Sequence, residues 1–329
     1  MKAKVLVARA TFPDVLERLQ QQFDVDSNQE DHIFSPEELQ RRMQGKDAVV
    51  VTASEKLTAE VIAAHPQLKA ICNVAVGYNN IDVAAATQAG VMVTNTPDVL
   101  NETTADYAWT LLMANARRVS ESEHYLRAGK WKHWRFDQFL GADVHGTTLG
   151  ILGMGRIGQA VARRSMGFDM QVIYHNRSHL APELEARANN ARHVSKEELL
   201  RNADHLVLVL PYSAETHHII GAAELALMKP TATLVNIARG GIVDDEALVD
   251  ALREGRIASA GLDVFENEPA LHPGFLTLPN VVLTPHIGSG SEKTRRAMAD
   301  CASANLVAAL SGQRPPNLVN PTVKERNHA

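Results

Sequence analysis

Apolar and polar positions follow two rhythms along this chain, and the switches between them mark out its elements. Over the first hundred residues, short β-rich apolar runs at 4–8, 47–52, 68–73 and 91–93 alternate with stretches of helical spacing. The helix predicted over 13–22 carries Pro13 in its first turn, where a missing N–H costs little. Ser35-Pro36-Glu37-Glu38 has the form of a capping box and predicts a second helix ending near Gly45. Further helices are expected near 58–64 and over 82–89, the latter closed by Gly90. From Asn101 the rhythm becomes helical: Ala105, Ala108, Trp109, Leu112, Met113 and Ala116 predict one long buried helix over 102–126. Residues 130–146, with Trp131, Trp134, Phe136 and Phe139 among charges, are too aromatic for a plain linker and call for a partner surface.

Beyond Gly146 strands and helices alternate again. Residues 204–210 form a near-continuous apolar run, as expected for a strand buried on both faces. Further strands are expected at 170–174, 233–237, 259–264 and 281–284, with helices opening at Ser195 and spanning 245–253 and 291–311. After Pro315-Pro316 a polar, mobile tail is expected. The βαβ rhythm implies an α/β protein with two doubly wound parallel-sheet domains: residues 1–100 completed by 289–329, and residues 101–288.

One stretch orders the second half. The apolar strand Leu149-Gly150-Ile151-Leu152 runs into Gly153-Met154-Gly155-Arg156-Ile157-Gly158 and then a helix. Gly153 allows a tight turn, Gly155 lets backbone approach a pyrophosphate, and Gly158 lets helix and strand pack closely. The first N–H groups of the helix, from Arg156 and Ile157 on, then face phosphates. This strand–turn–helix context predicts a Rossmann dinucleotide-binding domain. The carboxylate that ordinarily holds a ribose 2′-OH, about 20 positions on, is missing. In its place stand His175-Asn176-Arg177-Ser178, a cation flanked by short hydrogen-bonding groups. Asn176, Arg177 and Ser178 suit a 2′-phosphate, so NADP(H) is preferred and NAD(H) possible. A solvated surface role for Arg177 is the plainer alternative.

Composition narrows the field further. A net charge of −5 over 329 residues, without a basic block, offers no footprint for nucleic acid or a membrane surface. Cys72 and Cys301 form no framework and suit a reducing compartment. No run reaches the length of a membrane span and the N-terminus lacks the apolar region of a signal peptide, so a cytoplasmic protein is expected.

In open parallel sheets ligands lie beyond the carboxyl ends of the strands. Just past the late strands stand Arg239, then Glu266 and Glu268, then His286. A guanidinium, a carboxylate and an imidazole on one rim are the groups that reduction of a 2-keto acid requires. Imidazolium at His286 can donate a proton, Glu268 can orient that ring and favour its charged form, and Arg239 can polarise the carbonyl and bind the carboxylate. Taken singly, each has a plainer role: His286 as a cap, Glu268 as a turn residue, Arg239 as an exposed loop cation. The pairs His217-His218, His124 with His133, and His175 with His179 supply no recognisable ligand set, so no metal is expected.

The motifs Leu152-Gly153-Met154-Gly155-Arg156-Ile157-Gly158, Asn236-Ile237-Ala238-Arg239-Gly240, Gly261-Leu262-Asp263-Val264-Phe265-Glu266-Asn267-Glu268-Pro269 and Pro285-His286-Ile287-Gly288-Ser289 together resemble the D-isomer-specific 2-hydroxyacid dehydrogenases, over nearly the whole chain. Within that family the chain looks most like the glyoxylate/hydroxypyruvate reductases and 2-ketogluconate reductases, notably through Gly141-Ala142-Asp143-Val144-His145. The resemblance implies a flavodoxin-like substrate domain beside the Rossmann domain, and the catalytic set Arg239, Glu268 and His286. It implies a substrate loop, Val74-Ala75-Val76-Gly77-Tyr78-Asn79-Asn80-Ile81-Asp82, whose N–H groups at Val76 and Gly77 take the carboxylate. Thr104, Pro211, Thr216, Ile237, Ala238, Asp263 and Gly288 match cofactor-lining positions, with Asp263 as partner of the nicotinamide amide. It further implies a homodimer built through the long helix and the aromatic arm, with Trp134 either reaching the partner's active site or packing at the interface. The function expected is NADPH-dependent reduction of glyoxylate, hydroxypyruvate or 2-ketogluconate to D-2-hydroxy acids. Two alternatives are a nucleotide-sensing binding protein of the co-repressor type and a phosphoglycerate-type biosynthetic dehydrogenase. The first is disfavoured by the intact catalytic groups and the lack of long disordered flanks, the second by the lack of a C-terminal regulatory domain and of the acidic residue after the second strand.

Overall fold

A computed structural model describes residues 1–324. The chain divides into two units, Met1–Leu100 joined by the segment from Ser291 on, and Asn101–Gly290. The first holds strands β1 (Lys4–Val7), β2 (Asp24–Ser27), β3 (Ala48–Val51), β4 (Ala70–Asn73) and β5 (Met92–Thr94) in the order β2-β1-β3-β4-β5, every pair parallel. That is the flavodoxin-like order. Alternate residues feed its two faces. Leu6, Val49, Val51, Ile71 and Val93 pack under the helices Pro36–Met43, Ala59–Ala63 and Val83–Gln88; Val5, Val7, Ala48, Val50 and Cys72 face Pro13–Gln22 and Glu292–Leu310. β2 escapes the sequence pattern because Asp-Val-Asp-Ser at a sheet edge has little apolar face to show.

The second unit holds β6 (Thr148–Leu152), β7 (Gln171–His175), β8 (Arg192–His193), β9 (His205–Leu208), β10 (Thr233–Asn236), β11 (Ser259–Leu262) and β12 (Val281–Leu283). Their order is β12-β11-β10-β9-β6-β7-β8, again all parallel, and it reverses between β6 and β9. A reversal of this kind opens a crevice at the carboxyl ends of the two strands. The register sets Leu152 beside Leu208, Leu208 beside Asn236, Asn236 beside Leu262, and Leu262 beside Leu283. The loops leaving β6, β9, β10, β11 and β12 therefore emerge on one rim. Apolar side chains cover both faces, with Leu149, Ile151, Val207 and Val235 under the helices Asn101–Ala116 and Arg156–Arg164.

Two expectations are corrected. The long helix is two helices, Asn101–Ala116 and Val119–Arg127, broken at Arg118, which takes a left-handed conformation (φ 51°). The break has a cause outside the helix: the Ala116 carbonyl accepts the N–H of Ala142 at 2.8 Å, and Gly141 lies so close that a Cβ there would stand 2.2 Å from that same oxygen. The returning chain thus takes the acceptor that the next helical turn needs.

The segment after Pro315-Pro316 is docked as far as it is described. The buried Asn320 accepts from Val93 N–H (2.9 Å) and donates to Val91 O (2.9 Å) and to the Thr87 hydroxyl (3.0 Å), while Val319 N–H bonds Val93 O. These bonds fix the edge of β5. The last five residues, 325–329, lie outside the described part. Among the described residues no helix is long and apolar enough to cross a membrane.

Candidate active site

The glycine turn has the form its sequence requires. Gly153 has φ +103°, and a Cβ there would meet the Val209 backbone at 2.8 Å. At Gly158 a Cβ would stand 2.4 Å from Gly153 O, so only glycine lets the helix start this close to β6. Gly155 differs, since a Cβ there would meet nothing within 4 Å. Its smallness is not needed for packing within the chain, and the approach of a pyrophosphate explains it. Asn176, just past β7, turns its Oδ1 back to accept Met154 N–H at 2.7 Å, pinning the turn from the neighbouring strand end. Arg177 and Ser178 are exposed. Across the crevice Thr216 Oγ1 donates to Pro211 O (2.9 Å) and accepts Ser213 N–H (2.7 Å), which shapes the loop after β9. The cradle therefore fits a nicotinamide dinucleotide.

Arg239, Glu268 and His286 all lie beyond the strand ends of this unit. Three devices bring them there. The buried Asn236 at the end of β10 accepts Ala238 N–H (3.0 Å) and donates to Arg239 O (3.2 Å), folding the Ile237–Arg239 loop over its own strand. Gly240 lets that loop touch the next one, because a Cβ there would fall 1.8 Å from Phe265 O. Asp263, ending β11, accepts from Ile287 N–H (2.8 Å), Gly288 N–H (2.7 Å) and the Thr284 hydroxyl (2.7 Å), so it holds the turn that presents His286 (φ 53°). Burial pushes the Asp263 carboxyl up, even against these donors and the charge of His286. The sequence marks Asp263 only as a cofactor neighbour, and its grip on the His286 turn is not legible there. A polar residue closing an apolar strand, as at Asn236 and Asp263, is the signal that could have found both.

Glu268 Oε1 accepts Phe265 N–H at 2.9 Å and Oε2 lies 2.8 Å from His286 Nδ1. A carboxylate only accepts, so Nδ1 carries the proton and Nε2 is the nitrogen left for another partner. Both side chains are about one-third exposed, 37% for His286 and 32% for Glu268. Burial raises the Glu268 carboxyl, yet the hydrogen bond and charge of His286, with Phe265 N–H and Arg239, outweigh it and hold the group below the usual carboxylate range. Burial lowers the Arg239 guanidinium and Glu268 opposes that shift, while its Nη1 donates to Ala238 O at 2.7 Å. A half-sheltered acid/base pair with a cation beside it can move a proton and hold a carboxylate.

Thr104, Ile237, Ala238 and Gly288, expected to line the cofactor, are buried. A Cβ on Gly288 would lie 3.1 Å from Asp263 Oδ2 and 3.7 Å from Thr104. Within the first unit, the carbonyls of Val76 and Gly77 are held by Asn95 and Asn73, each at 2.8 Å. Trp134 is exposed, as are Trp131 and Phe136. His217 and His218 meet Glu266, far along the chain, with ligand atoms within 4.8 Å of one another. The two rings are stacked, 3.8 Å apart at 25°, so their in-plane lone pairs cannot meet at one ion.

Comparison with known proteins gives a consistent picture. Residues 109–288 match the NAD binding domain of the D-isomer specific 2-hydroxyacid dehydrogenases. The chain is 49% identical to a glyoxylate reductase of Thermococcus onnurineus (strain NA1), over 97% of this chain and 96% of that one. A solved structure from Thermus thermophilus is 43% identical with a TM-score of 0.88, covering 96% of this chain and 99% of the other. An NADPH-dependent glyoxylate/hydroxypyruvate reductase of Sinorhizobium meliloti, solved with NADP and malonate, is 34% identical with a TM-score of 0.87 over all of both chains.

Proposed function

The chain belongs to the D-isomer specific 2-hydroxyacid dehydrogenase family and is an oxidoreductase using a nicotinamide dinucleotide, and we propose that it reduces short 2-keto acids with NADPH. Glyoxylate is the first candidate, as the named activity of the Thermococcus relative, followed by hydroxypyruvate and 2-ketogluconate. The observation that carries this reading is the 2.8 Å contact between Glu268 and His286 Nδ1, which commits Nδ1 to the carboxylate and leaves Nε2 to exchange the substrate's proton.

The nicotinamide, when bound, supplies a hydride to the substrate carbonyl carbon. Arg239 binds the carboxylate and draws charge toward the carbonyl oxygen. His286 Nε2–H donates the proton the oxygen needs. Glu268 favours the imidazolium before transfer and holds the ring in orientation after it. Asp263 and Asn236 act one step back, fixing the two turns that carry His286 and Arg239.

NADPH is favoured over NADH because a guanidinium at Arg177, beside Ser178, stands where a carboxylate would repel a 2′-phosphate. The chain works in the cytoplasm as a homodimer formed through the broken helix pair and the aromatic arm, with Trp134 at the interface. Initial rates with glyoxylate, hydroxypyruvate and 2-ketogluconate, each with NADPH and NADH, test the proposal. A clear NADH preference removes the cofactor assignment, and no turnover with any keto acid puts a nucleotide-sensing binding protein ahead.

A further inference from the structure

Where β7 ends, three imidazoles gather beside Asn176, Arg177 and Ser178. His193 on β8 pairs in register with Tyr174, and its ring lies 3.9 Å from His179 (37°) and 5.7 Å from His175 (29°). The proton positions follow from their partners. His193 Nε2 is 3.0 Å from Asn176 O and His175 Nδ1 is 2.8 Å from Val194 O. A carbonyl accepts only, so each of these nitrogens carries the hydrogen and the other nitrogen of the ring is basic. Either ring can therefore take up a proton without breaking a bond that holds it.

Among the described residues, the carboxylates nearby are engaged with other partners. Tyr174 packs edge-on to His193 at 5.1 Å, and its hydroxyl is engaged with Glu185 at 2.6 Å. Arg192, next to His193, pairs with Glu198 at 2.8 Å. Glu215 lies across the crevice, held below the usual carboxylate range by the Ser213 hydroxyl and, more distantly, by Arg177. Stacked imidazoles repel one another once charged, and Arg177 adds to that repulsion. An anion arriving among them reverses the balance, and a ribose 2′-phosphate brings nearly two negative charges.

We propose that His175, His179 and His193 form a proton-taking wall of the 2′-phosphate subsite, so that NADP(H), unlike NAD(H), binds with net uptake of protons from solution. The proposal rests on the assignment of Asn176, Arg177 and Ser178 to the 2′-phosphate. It makes cofactor choice depend on pH, with NADP(H) gaining over NAD(H) in acid. The sign is diagnostic. A phosphate monoester entering a cationic site gives up its own last proton, so net uptake cannot come from the ligand.

Calorimetric titration of the full chain with NADP+ and with NAD+, near pH 7 in two buffers of different ionisation enthalpy, reads the exchange directly. Net uptake approaching about one proton with NADP+ and none with NAD+ is expected. The double variant His179→Ala with His193→Gln, whose glutamine can still donate to Asn176 O, should lose at least half of the uptake. It should also bind NADP+ about three- to tenfold more weakly near pH 6, with NAD+ affinity unchanged. Release or no exchange with NADP+, equal exchange with both nucleotides, or undiminished uptake in the double variant overturns the proposal. Arg177→Ala separates the two levels: unchanged NADP+ affinity removes the 2′-phosphate assignment itself, whereas weakened NADP+ binding with no wild-type uptake removes only the role of the imidazoles.

Discussion

Two histidines stand at opposite ends of the seven-stranded sheet, and they differ in what holds them. His205 opens β9 at the amino ends of the strands, buried, with Nδ1 2.7 Å from the Thr233 hydroxyl and Nε2 3.1 Å from Asp143 O. Both nitrogens are committed to neutral partners. His286, beyond β12 at the carboxyl ends, gives one nitrogen to a carboxylate and leaves the other outside that bond. Burial lowers His205, against the Asp143 carbonyl and the charge of Asp204, and keeps it a neutral tie between β9, β10 and the arm. The lesson is that a histidine becomes an acid/base group through one anionic partner and one free nitrogen, and a strut through two satisfied neutral ones.

Replacing the working histidine should break the comparison most severely. His286→Gln should lower kcat for keto-acid reduction by about 10²–10⁴-fold with little change in thermal stability. Arg239→Lys should be similarly impaired, since an ammonium cannot reproduce a planar fork on carboxylate and carbonyl. Near-normal kcat and KM in either variant would contradict these roles.

Removing the anionic partner should be milder and should show in the pH profile. The wild type should keep its turnover into acid until Glu268, held below the usual carboxylate range, is protonated. In Glu268→Gln that acid limb should be gone, with kcat down about 10–100-fold at neutral pH. An unmoved profile counts against the coupling.

The strut should respond in the opposite way. His205→Leu leaves the Thr233 hydroxyl and Asp143 O without their partner and should cost about 1–3 kcal/mol, read as a lower Tm, with the pH profile of turnover unchanged. Because the folded-state value of His205 lies below its ordinary 6.5, the unfolded chain binds more protons in acid. Its contribution to stability is complete above 6.5 and is lost as pH falls from there through the lower folded-state value. A wild-type Tm that does not drop faster than that of the variant below pH 6.5 would show that His205 is not the group responsible.

The smallest effect should come from Asp245, the buried first residue of the helix Asp245–Arg253, which accepts Glu266 N–H at 3.2 Å. Burial pushes its carboxyl from 3.8 to about 6, so the folded state keeps the proton longer, and stability drains away as pH rises through that window. Asp245→Asn keeps an acceptor for Glu266 and removes the ionisation. It should be more stable than wild type near pH 8 by at most ~1 kcal/mol after solvent screening, with no gain near pH 4. Denaturant melts at the two pH values check this.

Much of this arrangement is legible in the sequence, and the remainder is hidden for identifiable reasons. The strand–turn–helix at Gly153–Gly158 states its own geometry, and the rule that ligands gather at the carboxyl ends of parallel strands points to Arg239, Glu268 and His286. What periodicity cannot report is competition from elsewhere in the chain. Nothing between 101 and 127 announces a break at Arg118, because the N–H that takes the Ala116 carbonyl belongs to Ala142. Likewise a tail after Pro315-Pro316 looks unanchored until Asn320 meets Val91 and Val93. The contact of Gly240 with Phe265, which brings the Arg239 and Glu268 turns together, joins two loops whose approach no local pattern encodes.

Asn176 carries a consequence for anyone redesigning coenzyme choice. Its carboxamide oxygen is the acceptor for Met154 N–H, so this position serves the architecture of the crevice besides the proposed selectivity. An engineered aspartate there would keep the acceptor but bring a charge against the tip of the turn, confounding selectivity with altered backbone. On the proposed NADPH preference, Arg177, exposed and uninvolved in that bond, is the cleaner handle for retuning the enzyme toward a cheaper hydride donor in a biocatalytic process.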